Sequence, residues 1–286
     1  MALMTPFTED GSEINYKVLD ELVDFHLENS TDAIVVSGTG GESATLTTDE
    51  KMKLLAAVIK RVDGQIPVIM GTGANSTKAT IERSKMAEEV GANALMVVTP
   101  YYNKATQTGL VNHFTAVADS VKLPIIMYNV PGRTSVNMQA DTVAELAKHP
   151  NINAIKEASG DMVQVCEIVA KCGDNLNLYS GEDALVYSML ALGGIGVIST
   201  IGNVKPKDVH DMCFKYFSGD FKGARNIQFK QLDLIATIFS ELSPIPIKKA
   251  VNLMGIDVGP CRMPLGEISD ACLARLKKAL EAYDED

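Results

Sequence analysis

The 286-residue sequence predicts an α/β fold, a (β/α)8 TIM barrel with extra C-terminal helices. Short apolar segments alternate strictly with amphipathic helical segments, which is typical of a parallel sheet buried on both faces. Counting a strand at the N-terminus gives eight β/α units, the number that closes a barrel. The alternative, a doubly wound sheet, would carry a glycine-rich nucleotide-binding turn after its first strand. Gly38-Thr39-Gly40-Gly41 follows the second predicted strand, and Gly71-Thr72-Gly73 lacks a third glycine, so neither favours that alternative.

The predicted strands are short runs rich in Val, Ile, Leu and Met. A first strand over 2–6 ends at Pro6 and begins so early that we expect it to be clipped. The other strands are predicted over 33–37, 68–70, 94–98, 125–128, 152–156, 176–179 and 195–198. Helices are predicted over 15–28 and from positions near Thr48, Ser76, Thr106, Gln139, Asp161, Asp183 and Lys205. Several open with a Ser, Thr or Asp that can cap the first turn.

Beyond the eighth unit the pattern is helical only. Apolar residues recur at helical spacing over 221–240, 247–253 and 268–282. We therefore divide the chain into a barrel catalytic domain over 1–217 and a C-terminal helical extension over 218–286. The extension is expected to pack outside the barrel or to form subunit contacts.

Charge and composition argue against several classes of function. The net charge is −10 and the sequence has no basic patch, so nucleic acid and anionic membrane surfaces are poor partners. No run approaches the roughly 18 consecutive apolar residues that a membrane span needs. The four histidines are isolated and form no metal-binding motif, so neither a metal nor another cofactor is expected.

The cysteines indicate a reducing compartment. Their number is odd, and none forms a CxxC pair: they are Cys166, Cys172, Cys213, Cys261 and Cys272. No signal-like segment opens the sequence. These features predict reduced thiols in a cytoplasmic protein.

A lysine ends one of the apolar strands, in the stretch Ile152-Asn153-Ala154-Ile155-Lys156-Glu157-Ala158-Ser159-Gly160. Side chains alternate across a strand, so Lys156 shares a face with Ile152 and Ala154. An ammonium among apolar side chains is partly desolvated, which favours the neutral amine that condenses with a carbonyl as a Schiff base. The alternative is a structural lysine whose head group reaches water.

Uncommon polar side chains follow the carboxyl ends of several predicted strands. They are Thr39, Tyr101, Tyr102, Tyr128, Arg133 and Lys156. In a barrel the carboxyl ends of the strands form one face, on which active sites lie. We therefore expect these side chains to surround Lys156.

Four motifs at these positions resemble the signatures of the dihydrodipicolinate synthase family. They are Gly38-Thr39-Gly40-Gly41-Glu42-Ser43, Thr99-Pro100-Tyr101-Tyr102-Asn103, Tyr128-Asn129-Val130-Pro131-Gly132-Arg133-Thr134 and Ile155-Lys156-Glu157-Ala158. The similarity runs in order over nearly the whole chain. It implies a class I aldolase barrel, usually a homotetramer of tight dimers. It also implies that pyruvate condenses with L-aspartate 4-semialdehyde through a lysine Schiff base, giving 4-hydroxy-tetrahydrodipicolinate for lysine and diaminopimelate biosynthesis.

The resemblance also implies the roles of the catalytic residues. Lys156 would be the Schiff-base nucleophile and Tyr128 the general acid and base beside it. Thr39 and Tyr102 would complete a hydroxyl relay, with Tyr102 entering the site of the neighbouring subunit. Proton transfer through hydroxyls suits a reaction in which nearly every step moves a proton.

Substrate-binding residues are implied in the same way. A guanidinium fork matches a carboxylate, so Arg133 suits the carboxylate of aspartate semialdehyde. Gly40 and the main-chain groups of Gly181 and Ile198 would line the pyruvate pocket.

Two departures from the family pattern have consequences. Gly40 stands where most members have a threonine. Either glycine removes a hydroxyl near the pyruvate carboxylate and leaves only the backbone N–H to bind it, or the turn needs a backbone angle that a β-branched residue cannot adopt. Thr48, Lys51 and Ala79 stand where lysine-sensing members usually carry two histidines and a glutamate. We therefore expect weak or absent feedback inhibition by lysine.

Two competing functions remain open at this stage. Another pyruvate-dependent aldolase of the same superfamily, acting on a sugar acid, is compatible with Gly40, although Arg133 argues against it. A non-catalytic barrel used as a scaffold is the other, but scaffolding does not require a lysine, two tyrosines and a threonine on one face.

Overall fold

The computed structural model describes residues 1–285, in which helices and strands alternate. The strands are β1 Ile34–Val36, β2 Val68–Gly71, β3 Ala94–Val98, β4 Ile125–Asn129, β5 Ile152–Glu157, β6 Asn177–Ser180 and β7 Gly196–Val197. The helices are α1 Tyr16–Glu28, α2 Thr48–Val62, α3 Thr77–Val90, α4 Gln107–Asp119, α5 Pro131–Thr134, α6 Ala140–Leu146, α7 Met162–Cys172, α8 Val186–Ala191, α9 Pro206–Phe217, α10 Phe221–Ile238, α11 Ile245–Leu253 and α12 Asp270–Glu285. Three short 3₁₀ turns span Gly173–Asn175, Asp183–Leu185 and Ile201–Asn203.

Residues 67–198 form one of the two compact units into which the chain divides. Its six strands, β2 to β7, are parallel, and each strand from β3 to β7 is hydrogen-bonded to the strand before it in the chain. All five residues of β4 are buried, which explains why its sequence is an unbroken apolar run before its polar end. The register places Tyr128 of β4 beside Lys156 of β5, and Lys156 beside Tyr179 of β6.

The other unit comprises residues 1–66 and the segment from Ser199 onward. Ala2 forms a parallel bridge with Val35 of β1, and its N–H donates to the Ser199 carbonyl at 3.0 Å. Of the predicted first strand over 2–6, only an isolated bridge at Ala2 forms, so the pairing is shorter than predicted. Pro6 has no backbone N–H with which to extend the pairing.

The C-terminal helices predicted from the apolar periodicity are present. Helix α10 packs against α9 and α12, and α11 packs against α12. Whether the extension from 218 to 286 is a domain distinct from a barrel over 1–217 stays a prediction. Among residues 1–285 no helix combines the length and apolar character that crossing a membrane requires.

Local signals placed most element boundaries to within one or two residues. Asn15, Thr47, Ser76, Thr106 and Asp161 each cap a helix by accepting a hydrogen bond from a backbone N–H of its first turn.

Arg133, which follows the predicted strand over 125–128, lies on the short helix α5, which the sequence pattern did not predict. Pro131 occupies its first turn, where the fixed φ of proline and its missing N–H carry no penalty.

The buried histidine of α1 makes folding stability depend on pH. His26 is fully buried, its Nδ1 lies 3.1 Å from Thr31 Oγ1, and burial together with the N-terminal charge lowers its pKa to about 3. The unfolded chain therefore binds more protons than the folded one below pH ~6.5, so stability falls as the pH drops, by roughly 2 kcal/mol at pH 5.

Chemical denaturation at pH 8 and pH 5 should show a smaller loss of unfolding free energy in His26→Gln than in the wild type. A loss equal to that of the wild type would show that another group causes it. The partly exposed His149, paired with Asp119, provides His149→Gln as the control.

Candidate active site

The predicted lysine and tyrosine lie together near the carboxyl ends of β4 and β5. Lys156 and Tyr128 are paired in register and are only 5% and 6% exposed. The Lys156 Nζ atom lies 4.4 Å from the centre of the Tyr128 ring, within the range of a cation–π contact. The amine is therefore withdrawn from water and held against the tyrosine predicted to act with it.

Gly181 leaves the space that the lysine side chain occupies. A Cβ atom at this position would lie 3.1 Å from Lys156 Cε and 2.6 Å from Ala158 Cβ, so a larger residue would clash. Its N–H donates to the Glu157 carbonyl at 2.7 Å. The structure thus brings Gly181 to Lys156.

Ile198 is buried directly after β7. Its N–H donates to the Ser180 carbonyl at 2.9 Å, which places it next to the carboxyl end of β6. The implied role of its main-chain groups in a pyruvate pocket stays a prediction.

A buried carboxyl group, which the sequence analysis did not single out, ties β4 to β5. Glu157 is 1% exposed and accepts hydrogen bonds from the Ser159 N–H at 2.6 Å and Asn129 Nδ2 at 2.9 Å. Burial raises the pKa of Glu157, although these hydrogen bonds oppose the shift. Glu157 and Asn129 directly follow Lys156 and Tyr128 in their strands. Their contact therefore helps to hold the two predicted catalytic residues in register.

Arg133 lies on α5, immediately after β4, and its side chain is exposed. The helix is anchored by the buried Thr134, whose Oγ1 accepts from Thr99 Oγ1 at 3.2 Å.

Glu182 is a further residue that the sequence analysis did not single out. Burial and the Asp183 charge raise its pKa. The positive charges of Lys156 and Arg133 oppose that shift. Glu182 is therefore within electrostatic reach of both Lys156 and Arg133.

Tyr102 projects from the surface after β3. Its side chain is 90% exposed, and its φ of 73° lies in the left-handed region that bulky residues rarely adopt. A strained backbone that presents an aromatic ring to solvent suggests a role outside the hydrophobic core.

Thr39 and Gly40 belong to the other compact unit, in the turn after β1. The Thr39 carbonyl accepts from the Glu42 N–H at 3.1 Å, and Ser43 N donates to the Gly38 carbonyl at 3.3 Å. Gly40 is not among the residues with a positive φ, and a Cβ there would only reach ordinary contact with the Ala2 carbonyl oxygen, at 3.6 Å. The backbone-angle explanation for Gly40 is therefore wrong.

No group of three or more His, Cys, Asp or Glu side chains within residues 1–285 is arranged to hold a metal ion. The ionisable residues that this unit brings together are Lys156, Tyr128, Glu157, Glu182 and Arg133. An amine beside a phenol, with a cationic side chain nearby, suits covalent addition to a carbonyl compound that carries a carboxylate.

Comparison with known proteins identifies the family. The sequence profile of the Dihydrodipicolinate synthetase family matches residues 1–283. The chain belongs to this family. A 4-hydroxy-tetrahydrodipicolinate synthase of Clostridium perfringens is 47% identical over 282 residues, covering 99% of this chain and 96% of the relative.

Solved structures of the dihydrodipicolinate synthetase family show the same fold. The enzyme from Cyanidioschyzon merolae with lysine bound has a TM-score of 0.96 at 40% identity, covering 99% of this chain and 96% of that chain. The chloride-inhibited enzyme from Acinetobacter baumannii complexed with pyruvate has a TM-score of 0.97 at 38% identity, covering 99% and 97%. The predictions of the family, of an α/β TIM barrel with C-terminal helices and of a synthase function are confirmed.

Proposed function

We propose that this chain condenses pyruvate with L-aspartate 4-semialdehyde through a Schiff base on Lys156, which gives 4-hydroxy-tetrahydrodipicolinate. The observation that carries the mechanism is the buried Lys156 amine, 4.4 Å from the centre of the Tyr128 ring. The full-length relative from Clostridium perfringens supports the activity, and the pyruvate complex of the Acinetobacter baumannii enzyme supports the first substrate.

The reaction begins when the Lys156 amine attacks the ketone carbon of pyruvate. Loss of water from the carbinolamine leaves an imine, which draws electrons from the methyl carbon so that this carbon loses a proton and becomes an enamine. The enamine carbon attacks the aldehyde carbon of the second substrate, whose oxygen takes up a proton. The amine of the second substrate then attacks the imine carbon, closes the ring and releases Lys156. Each step moves a proton and therefore needs positioned acids and bases.

In this proposal Tyr128 exchanges those protons, and the contact of its ring with the Lys156 amine supports that role. Thr39 and Tyr102 complete the relay in this proposal. The exposure and left-handed backbone of Tyr102 support its insertion into the site of a neighbouring subunit, within a homotetramer of tight dimers.

In this proposal Arg133 binds the carboxylate of the aldehyde substrate. Its exposed side chain supports this role, as does its electrostatic interaction with Glu182, which also interacts with Lys156. Main-chain groups of Gly181, Ile198 and Gly40 hold the pyruvate carboxylate. The protein acts in the cytoplasm, where the five cysteines stay reduced; all five are free thiols in the structure. Weak inhibition by lysine stays a prediction.

Borohydride trapping tests the mechanism directly. Borohydride reduces an imine to a stable amine, so mass spectrometry should find a pyruvate adduct on the peptide containing Lys156. Coupled turnover with aspartate semialdehyde and with a panel of sugar-derived aldehydes should favour the former. An adduct combined with faster turnover of a sugar-derived aldehyde would indicate the sugar-acid aldolase instead.

Replacing Gly40 with threonine should tighten pyruvate binding. A Cβ at this position makes only ordinary contact, with the Ala2 carbonyl oxygen at 3.6 Å, and we expect the added hydroxyl to donate to the pyruvate carboxylate. A hydrogen bond to a charged group contributes about 1.5–3 kcal/mol, so the Michaelis constant for pyruvate should fall about tenfold or more. Steady-state kinetics measure the constant, and the melting temperature serves as a check on folding.

Gly41 offers the matched control for this variant. A Cβ at Gly41 would lie 2.9 Å from the Leu3 carbonyl oxygen, so Gly41→Ala should lower the melting temperature where Gly40→Thr does not. A higher Michaelis constant together with a lower melting temperature in Gly40→Thr would refute the proposed role of the hydroxyl.

A further inference from the structure

A buried cluster of charges surrounds Glu42, in the turn that carries Thr39 and Gly40. The side chains of Glu42 and Lys248 are 0% and 2% exposed, and Lys248 Nζ donates to Glu42 Oε1 at 2.7 Å. The second carboxylate oxygen, Oε2, accepts from the Arg262 N–H at 2.8 Å. Both donors come from the C-terminal segment, more than 200 residues away in the chain.

Glu42 has a strained backbone that needs such an anchor. Its φ is 54°, in the left-handed region. From this conformation its N–H donates to the Thr39 carbonyl at 3.1 Å, and its own carbonyl accepts from the Thr45 N–H at 3.0 Å. A non-glycine residue keeps such a conformation only where its surroundings hold it. Here the surroundings are the two donors that grip its carboxylate.

The ring of Phe7 contacts the positively charged groups of both Lys248 and Arg262. Its ring is 1% exposed, and the centre of the ring lies 4.2 Å from Lys248 Nζ and also 4.2 Å from Arg262 Cζ. Burial lowers the pKa of Lys248, and the Glu42 carboxylate opposes that shift.

The Arg262 guanidinium fixes the surrounding chain. Nε donates to the Gly11 carbonyl at 2.8 Å, and Nη2 donates to the Ser12 carbonyl at 2.8 Å and to Glu50 Oε1 at 2.7 Å. Glu50 belongs to the capping box that begins α2, at the far end of the same turn. The hydrogen bonds of Arg262 therefore join Glu42, within the turn, to Glu50 at the start of α2 and to the Gly11–Ser12 segment.

We propose that Lys248 and Arg262 are positioning residues of the synthase. By holding the Glu42 carboxylate, they hold the turn that presents Thr39 and Gly40 to pyruvate. The C-terminal helices then do more than pack or form subunit contacts, since α11 supplies the cation that sets the geometry of this turn. The proposal rests on the roles assigned to Thr39 and Gly40 under the proposed function.

Lys248→Met tests the proposal, because methionine keeps the length of the side chain but cannot donate to Glu42. Without this bond the turn should no longer hold Gly40 in place, and one hydrogen bond to the pyruvate carboxylate should be lost. The pyruvate concentration for half-maximal borohydride trapping should therefore rise roughly tenfold. The Michaelis constant for aspartate semialdehyde should stay within about twofold, because Lys248 contacts Glu42 and Phe7 and the proposed binding of that substrate depends on Arg133. If only the melting temperature falls and both constants are unchanged, the pair is merely structural and the proposal is wrong.

The double variant Glu42→Gln with Lys248→Met covers the case in which the single variant does not fold. Removing both charges of a buried pair is often neutral for stability, whereas removing one is not. The double variant should therefore melt near the wild type and still require more pyruvate for half-maximal trapping. A wild-type pyruvate requirement in this folded variant would overturn the proposal.

Lys207→Met is the matched control, since Lys207 is 62% exposed and pairs with Asp211 on α9. It should trap pyruvate like the wild type. Failure of the wild-type protein itself to trap pyruvate would refute the proposed function, and the positioning role with it.

Discussion

Replacing Lys156 with alanine is expected to abolish covalent trapping of pyruvate and to lower turnover by on the order of 10³-fold or more, because the reaction loses its nucleophile. Lys156 is the residue whose amine lies, buried, against Tyr128. Mass spectrometry after borohydride reduction measures the adduct, and a coupled assay measures turnover. Full turnover in Lys156→Ala would eliminate the Schiff-base mechanism.

Lys156→Arg separates the chemistry of the amine from its positive charge. A guanidinium stays protonated and cannot form the imine, so this variant should fail as completely as the alanine variant. Lys148→Ala controls for the loss of a lysine elsewhere, since Lys148 is 72% exposed and pairs with Glu145 at the surface. It should keep both the adduct and the activity.

Replacing Arg133 with alanine is expected to impair chiefly the handling of the aldehyde substrate. A carboxylate deprived of its bidentate partner loses about 2–5 kcal/mol, which corresponds to roughly 30-fold or more in kcat/KM for aspartate semialdehyde. Pyruvate trapping should largely survive, because the contacts of Lys156 with Tyr128 and with Gly181 do not involve Arg133. Steady-state kinetics with each substrate varied in turn provide the measurement.

Two further variants sharpen the Arg133 prediction. Arg133→Lys keeps the charge but not the fork, so it should recover only part of the lost kcat/KM. The exposed Arg225 on α10 provides the control variant Arg225→Ala, which should behave as the wild type. Weakened pyruvate trapping with normal use of aspartate semialdehyde in Arg133→Ala would show that Arg133 serves the first substrate.

Much of the fold could be predicted because its signals are local. Apolar runs, helical periodicity and capping residues such as Thr47 depend on neighbouring positions, so the sequence alone located most strands and helices. The same alternation implies parallel strands, and parallel strands gather their carboxyl ends on one side. Lys156, Tyr128 and Arg133 could therefore be proposed as neighbours before any contact was known.

Residues whose roles depend on partners far away in the sequence showed no local pattern from which those roles could be predicted. Glu42 and Lys248 are 206 positions apart, and neither position indicates that its charge is buried and paired. Glu157 follows Lys156 in the sequence, but its hydrogen bond to Asn129 exists only because β4 and β5 pair in one register. Contacts of this kind depend on how the elements pack, which no local pattern specifies.

Gly40 separates the two kinds of information most clearly. The sequence by itself determined that glycine stands where the family usually has threonine, and it left two physical explanations. Only the tertiary structure decided between them, because φ and the free space around a Cβ are properties of the folded turn. In the same way, the sequence determined that this chain carries the residues of a Schiff-base aldolase. The packing of β4 against β5 decided that the Lys156 amine lies buried against Tyr128, because register and burial arise only when separate strands meet.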